Sequence, residues 1–119
     1  MNRDLLISKL ISKYDLIEDT EQTSDPNTKV FVFNPYGMEY SGGLIWFRDG
    51  LVKWCTNIRP SKTSNTINYA GINQCSLRTI NVNRLFSHLD EMNELHNNII
   101  KKYKDRIIKN KLKKIDDDF

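Results

Sequence analysis

GLIWFRDGLVKWCTNI, residues 43–58, decides the fold. Two apolar runs flank Asp49-Gly50, a dipeptide that accepts the positive φ angles of a two-residue type I′ turn. The turn sets the register. Arg48 faces Leu51, Phe47 faces Val52, Trp46 faces Lys53, Ile45 faces Trp54 and Leu44 faces Cys55. Side chains alternate along a strand, so Ile45, Phe47, Val52 and Trp54 share one apolar face, continued by Thr56 and Ile58. That face is expected to meet the core. The other carries Leu44, Trp46, Arg48, Lys53 and Asn57. A tryptophan beside two cations on a sheet suits a stacked base with its phosphates, unless a helix covers it.

Working upstream, VFVF at 30–33 reads as a strand, closed by the turn signal Asn34-Pro35-Tyr36-Gly37. Met38 to Tyr40 briefly resumes the sheet before Ser41-Gly42-Gly43 bends the chain. Residues 18–27, with Pro26, read as a loop. Before it, Leu6, Leu10, Tyr14 and Ile17, with Ile7 and Ile11 beside them, recur at helical spacing, so an amphipathic helix is expected over 3–17, capped by Asn2. Downstream, the polar stretch 59–74 is long for a plain connection and is expected to hold a strand at Thr66 to Ala70. CSLRTINV, 75–82, reads as the last strand, with Asn81 or Asn83 as the cap of a final helix.

The last segment has the strongest pattern. Leu85, Leu89, Met92, His96, Ile99 and Tyr103 recur at 4-3-4-3-4, a heptad seam that predicts a helix over 83–115 and suggests a homodimer. At 1.5 Å per residue that helix is roughly 50 Å long, more than the roughly 30 Å breadth of a small domain. Beyond Ile107 the apolar positions shift to Ile108, Leu112 and Ile115, so the helix either breaks near Asn110 or meets another partner. Charge is concentrated there too. Residues 1–100 hold 10 Lys/Arg against 11 Asp/Glu, whereas 101–114 hold eight Lys/Arg against one acid, followed by Asp116, Asp117 and Asp118. Lys102, Arg106, Lys109 and Lys113 form a stripe at i, i+4, i+7 and i+11, the geometry for tracking a phosphate backbone. A solvated lysine-rich helix end is the plainer alternative.

The chain has 119 residues, 39% hydrophobic and 28% charged, with five glycines and three prolines, which fits one α+β domain and excludes collagen-like and low-complexity classes. The expected architecture is an N-terminal helix, an antiparallel sheet of three to five strands and a long C-terminal amphipathic helix. Residues 1–100 form the compact domain, and 101–119 the basic helix end with a short acidic tail. No apolar run suggests a membrane span. The N-terminal stretch lacks a secretory pattern, so a cytoplasmic location with reduced, structural Cys55 and Cys75 is expected.

Phosphate-loop, dinucleotide, metalloprotease and nucleophile-elbow motifs are missing, and no cofactor or metal is implied. His88 and His96 have Asp90, Glu91 and Glu94 nearby, yet His96 lies in the apolar seam; Ser61-Lys62 and Ser64 lie in a loop without a base. The expectation is therefore a non-enzymatic binder of nucleic-acid backbone, indifferent to sequence, acting through Lys102, Arg106, Lys109 and Lys113 with secondary contacts at Trp46, Arg48 and Lys53. A regulator or inhibitor docking on an acidic protein partner is the second reading, and a small-ligand binder with its pocket at a dimer interface the third.

Overall fold

The computed structural model describes residues 2–22 and 25–117, with the side chains of the last helix described as far as Asn110. The order is α1 (Arg3–Lys13), β1 (Leu16–Glu18), β2 (Lys29–Phe33), β3 (Glu39–Ser41), β4 (Ile45–Arg48), β5 (Leu51–Trp54), β6 (Asn57–Pro60), β7 (Thr66–Ala70), β8 (Asn73–Ser76) and α2 (Val82–Asp117). The fold is α+β, as expected. Two sheets form where one was expected: β1-β2-β4-β5-β8, antiparallel throughout, and β3-β7-β6, in which β3 pairs β7 in parallel.

The β4–β5 hairpin has the expected register, from Ile45 opposite Trp54 to Arg48 opposite Leu51, and Asp49 and Gly50 turn with φ of 47° and 77°. Ile45, Phe47 and Val52 are buried to the last per cent. Three neighbours depart from the alternation, among them Cys55, which is buried in the core opposite Leu44. Leu44 is fully buried in the core because the chain bends just before β4, and Thr56 is exposed, its hydroxyl donating to the Ala70 carbonyl at 3.2 Å.

α1 starts where expected: the Asn2 side chain accepts from the backbone N–H of Asp4 (2.8 Å) and Leu5 (3.3 Å). It stops at Lys13, short of the expected 17. Tyr14 is extended, and Leu16, Ile17 and Glu18 pair with Phe33, Val32 and Phe31. The ladder with β2 supplies the backbone partners that another helical turn would have supplied. At the far end of β1, the Asp19 carboxylate accepts from Gln22 Nε2 and the Tyr40 hydroxyl, both at 2.8 Å, and from the Glu21 N–H at 2.9 Å. Burial alone would raise its pKa, but these bonds outweigh it and hold the carboxyl below its ordinary range, tying β1 to β3. The expected strand over 75–82 is instead β8, ending at Ser76. Leu77 N–H turns back to the Gly50 carbonyl (2.8 Å), and Thr79 N–H to that of Ser76 (3.1 Å).

One core joins all of this. Leu6 and Leu10 of α1, Phe31 and Phe33 of β2, Ile58 of β6, Ile67 of β7 and Leu85, Leu89, Met92 and Ile99 of α2 belong to a single apolar cluster. Asn81 caps α2, its side chain accepting from Arg84 N–H at 3.1 Å. The helix passes Asn110 unbroken.

The heptad seam is a correction. Leu85, Leu89, Met92, His96 and Ile99 are each at most 7% exposed within the single chain, and Tyr103 is half-buried. The chain's own core covers the first five positions, so those side chains are not open to a second copy, while Tyr103 is only partly covered. A seam of apolar residues 3.5 apart on average can face a sheet as readily as another helix. No described helix is long and apolar enough to cross a membrane.

Candidate nucleic-acid interface

Past Tyr103 most of the helix surface is exposed, with Ile107 still half-buried. The Tyr103 hydroxyl still reaches the Gly37 carbonyl (3.4 Å), while Lys104, Asp105, Arg106, Ile108, Lys109 and Asn110 are all exposed. The molecule measures 63 × 30 × 24 Å, about twice as long as it is broad.

Three of the four stripe cations, Lys102, Arg106 and Lys109, line one wall of a groove of ≈ 740 Å³. Lys113 belongs to the last turns of α2, where side chains lie outside the described residues. The opposite wall is the end of β6 and the loop after it, with Pro60, Ser61 and Lys62. Buried Ile58 of β6 and Ile99 of α2, both members of the core cluster, also line the groove. The loop is held by its own hydroxyls. Ser61 N–H donates to the Thr66 carbonyl (2.9 Å), Thr63 N–H to Ser61 Oγ (3.3 Å), and Ser64 Oγ lies 3.1 Å from Ser61 Oγ and 2.9 Å from Thr66 Oγ1. This network shapes the loop that carries Lys62 at the groove. Four cations face one carboxylate here, that of Asp105. Within a Debye length of about 8 Å at physiological salt, their fields add.

Trp46, Arg48 and Lys53 gather in a second concavity of ≈ 340 Å³, on the face of the five-stranded sheet away from the core, with Val30, Leu51 and Ile72. Among the described residues no helix side chain lines it; Trp46 is half-buried. A Cβ on Gly43 would lie 2.8 Å from Val30 Cγ1 and 3.0 Å from Trp46 Cζ2, so the indole rests on the glycine. Arg48 is shared with Asp25 (3.7 Å) and Asp49 (3.6 Å), which lowers its value as a phosphate contact. The structure thus splits the expected site residues into two sets with no lining residue in common.

The histidines are taken up by the fold. His88 Nε2 bonds the Cys55 carbonyl at 3.1 Å, and His96 Nε2 bonds that of Asn34 at 2.8 Å. Asp90, the nearest candidate acid, accepts from the Tyr14 hydroxyl at 2.5 Å and pairs with Lys13 at 3.2 Å. The Tyr14 bond, aided by Lys13, holds its carboxyl below the ordinary range. Cys55 is buried, and burial pushes its thiol up to about 12. Among the described residues no three His, Cys, Asp or Glu side chains could hold a metal ion together. Lys62 is the groove residue that sequence reading left out. The available signal was the polar run after Pro60, legible as a hairpin loop had β6 and β7 been paired. No family model, curated protein or solved structure matches the chain.

Proposed function

We propose that this protein is a small non-enzymatic binding protein that holds a nucleic-acid backbone in the groove between α2 and the loop joining β6 to β7. One observation carries the reading: Lys62 stands on one wall and Lys102, Arg106 and Lys109 on the other, so a phosphate chain meets cations from both sides. The three helix cations are exposed and span about 10 Å of helix axis, enough for successive phosphates of one strand. The test is fluorescence anisotropy with a labelled duplex at low salt. Replacing Lys102, Arg106 and Lys109 together by Gln is expected to weaken binding by at least tenfold while leaving the unfolding free energy within about 0.5 kcal/mol of the parent, because none of the three is buried. Unchanged affinity would contradict the reading.

A regulator of an acidic protein partner is the second reading, favoured by Ile72 and Leu51 at the Trp46 concavity, which are 65% and 37% exposed. It predicts that Trp46→Ala with Ile72→Ser abolishes recovery of a stoichiometric protein from nuclease-treated lysate. Recovery that disappears with nuclease counts against it.

A further inference from the structure

α2 turns about 100° per residue, so its exposed end sorts into rows. Lys102, Arg106 and Lys109 form the row beside the groove. Lys104 stands on the opposite flank, its Nζ 4.8 Å from the centre of the Tyr36 ring. Between the flanks, and opposite the Ile99 and Tyr103 side that faces the body, runs a third row at i, i+4 and i+7: Lys101, Asp105 and Ile108, all exposed, with Asp105 at the edge of the groove that it also lines.

Two members of this row do not suit a helix that only neutralises phosphate. Asp105 is the sole acid between Lys101 and Lys114 and would repel a phosphate chain. Its carboxylate makes no ion pair among the described residues, although Lys101, Lys102 and Lys109 stand at i−4, i−3 and i+4. Ile108 is 56% exposed on the most cationic part of the chain. Base edges would explain both. In the major groove a lysine suits guanine O6 and N7, a carboxylate accepts from the N4 amino group of cytosine, and an apolar side chain packs on the thymine methyl. The central row holds one group of each kind.

The dimensions agree. A helix about 10–12 Å across fits a B-form major groove about 12 Å wide, whereas the deep, narrow major groove of A-form RNA does not admit it. Among the described residues no aromatic side chain lines the basic groove, so it has no platform for stacking the bases of a single strand. We infer that the exposed end of α2 enters the major groove of B-form DNA with Lys101, Asp105 and Ile108 toward the base edges, one backbone lying in the groove against Lys62 and the other on the Lys104 flank. This rests on the nucleic-acid reading proposed for the groove and adds duplex form and base preference to it. Lys101 to Ile108 spans about 10 Å, roughly three base-pair steps of 3.4 Å, so the preference covers only a few pairs.

The test selects duplexes with a randomised core on the full chain and on Asp105→Asn and Asp105→Ala, alongside anisotropy with duplex DNA, the same single strand and the matching RNA duplex. The parent is expected to prefer duplex DNA and to enrich cytosine at one position about tenfold. Asp105→Asn should shift that position toward adenine, whose N6 and N7 suit an amide, and Asp105→Ala should leave it unread. If the parent enriches no base and both variants bind every duplex more tightly by the same factor, the inference is overturned while backbone binding stands. Tighter binding of single strands or of duplex RNA overturns it as well. Absence of salt-sensitive binding to any of the three removes the nucleic-acid reading together with it.

Discussion

His96 is a core residue with an unfinished hydrogen-bond set. The imidazole is 2% exposed and stacks on Phe33 with ring centroids 4.9 Å apart. Its Nε2 donates to the Asn34 carbonyl, and its buried Nδ1 has no partner among the described residues, so the neutral ring fits and the protonated ring does not. Burial pushes its pKa down, against the opposing pull of the Asn34 bond and Asp15. The unfolded chain then binds this proton more readily than the folded one, so stability is full above about pH 6.5 and declines as pH falls toward the lowered folded value. Urea midpoints should fall between pH 7.5 and 5.5 accordingly, and His96→Gln should flatten that difference whatever its absolute stability. An unchanged difference in the variant would place the titration elsewhere. Gly71 makes a sharper case: its φ is +74°, and a Cβ there would sit 1.9 Å from Thr56 Oγ1. Gly71→Ala is expected to cost about 1–3 kcal/mol by chemical denaturation. Residue signals with a local cause were legible in the sequence, such as Asn2 as a cap and Asp49-Gly50 as a turn. The need for glycine at 71 was not, because its clash comes from Thr56, which only the β6–β7 pairing brings beside it.

At the scale of elements, α2 packs into the core up to about Tyr103, and the proposed binding belongs to the exposed end beyond it. Leu89, fully buried in the seam, predicts a loss of about 2–5 kcal/mol for Leu89→Ala, read by urea unfolding. Substitutions at the exposed positions beyond Tyr103 should leave stability nearly untouched and act on the proposed binding alone. The spacing of the seam was plain in the sequence, but its packing partner was not, since periodicity records an apolar face and is silent on what covers it. Similarly, Leu16 and Ile17 continue a helical pattern for one more turn, and only their pairing with Phe33 and Val32 makes them a strand. The parallel pairing of β3 with β7 joins Glu39 to Thr66, far apart along the chain, and leaves no local trace.

For the whole molecule, a nearly neutral α+β body carries a cationic rod, and the β6–β7 loop turns the rod's flank into a groove. Concentration of charge in residues 101–114 was legible from counting alone. That Lys62 would join the stripe depended on the packing of β6 against α2, and that Trp46 would sit in a separate concavity depended on the pairing of β2, β4 and β5. The central claim is that the groove binds by phosphate neutralisation, and its most direct test is the affinity of the full chain for duplex DNA across a salt series. Four groove cations predict a log–log slope of roughly −3 to −4, at about −0.9 per phosphate, reduced by about one when Lys62 or Lys102 is replaced by Gln. A slope near zero, or one that ignores both substitutions, would contradict the account.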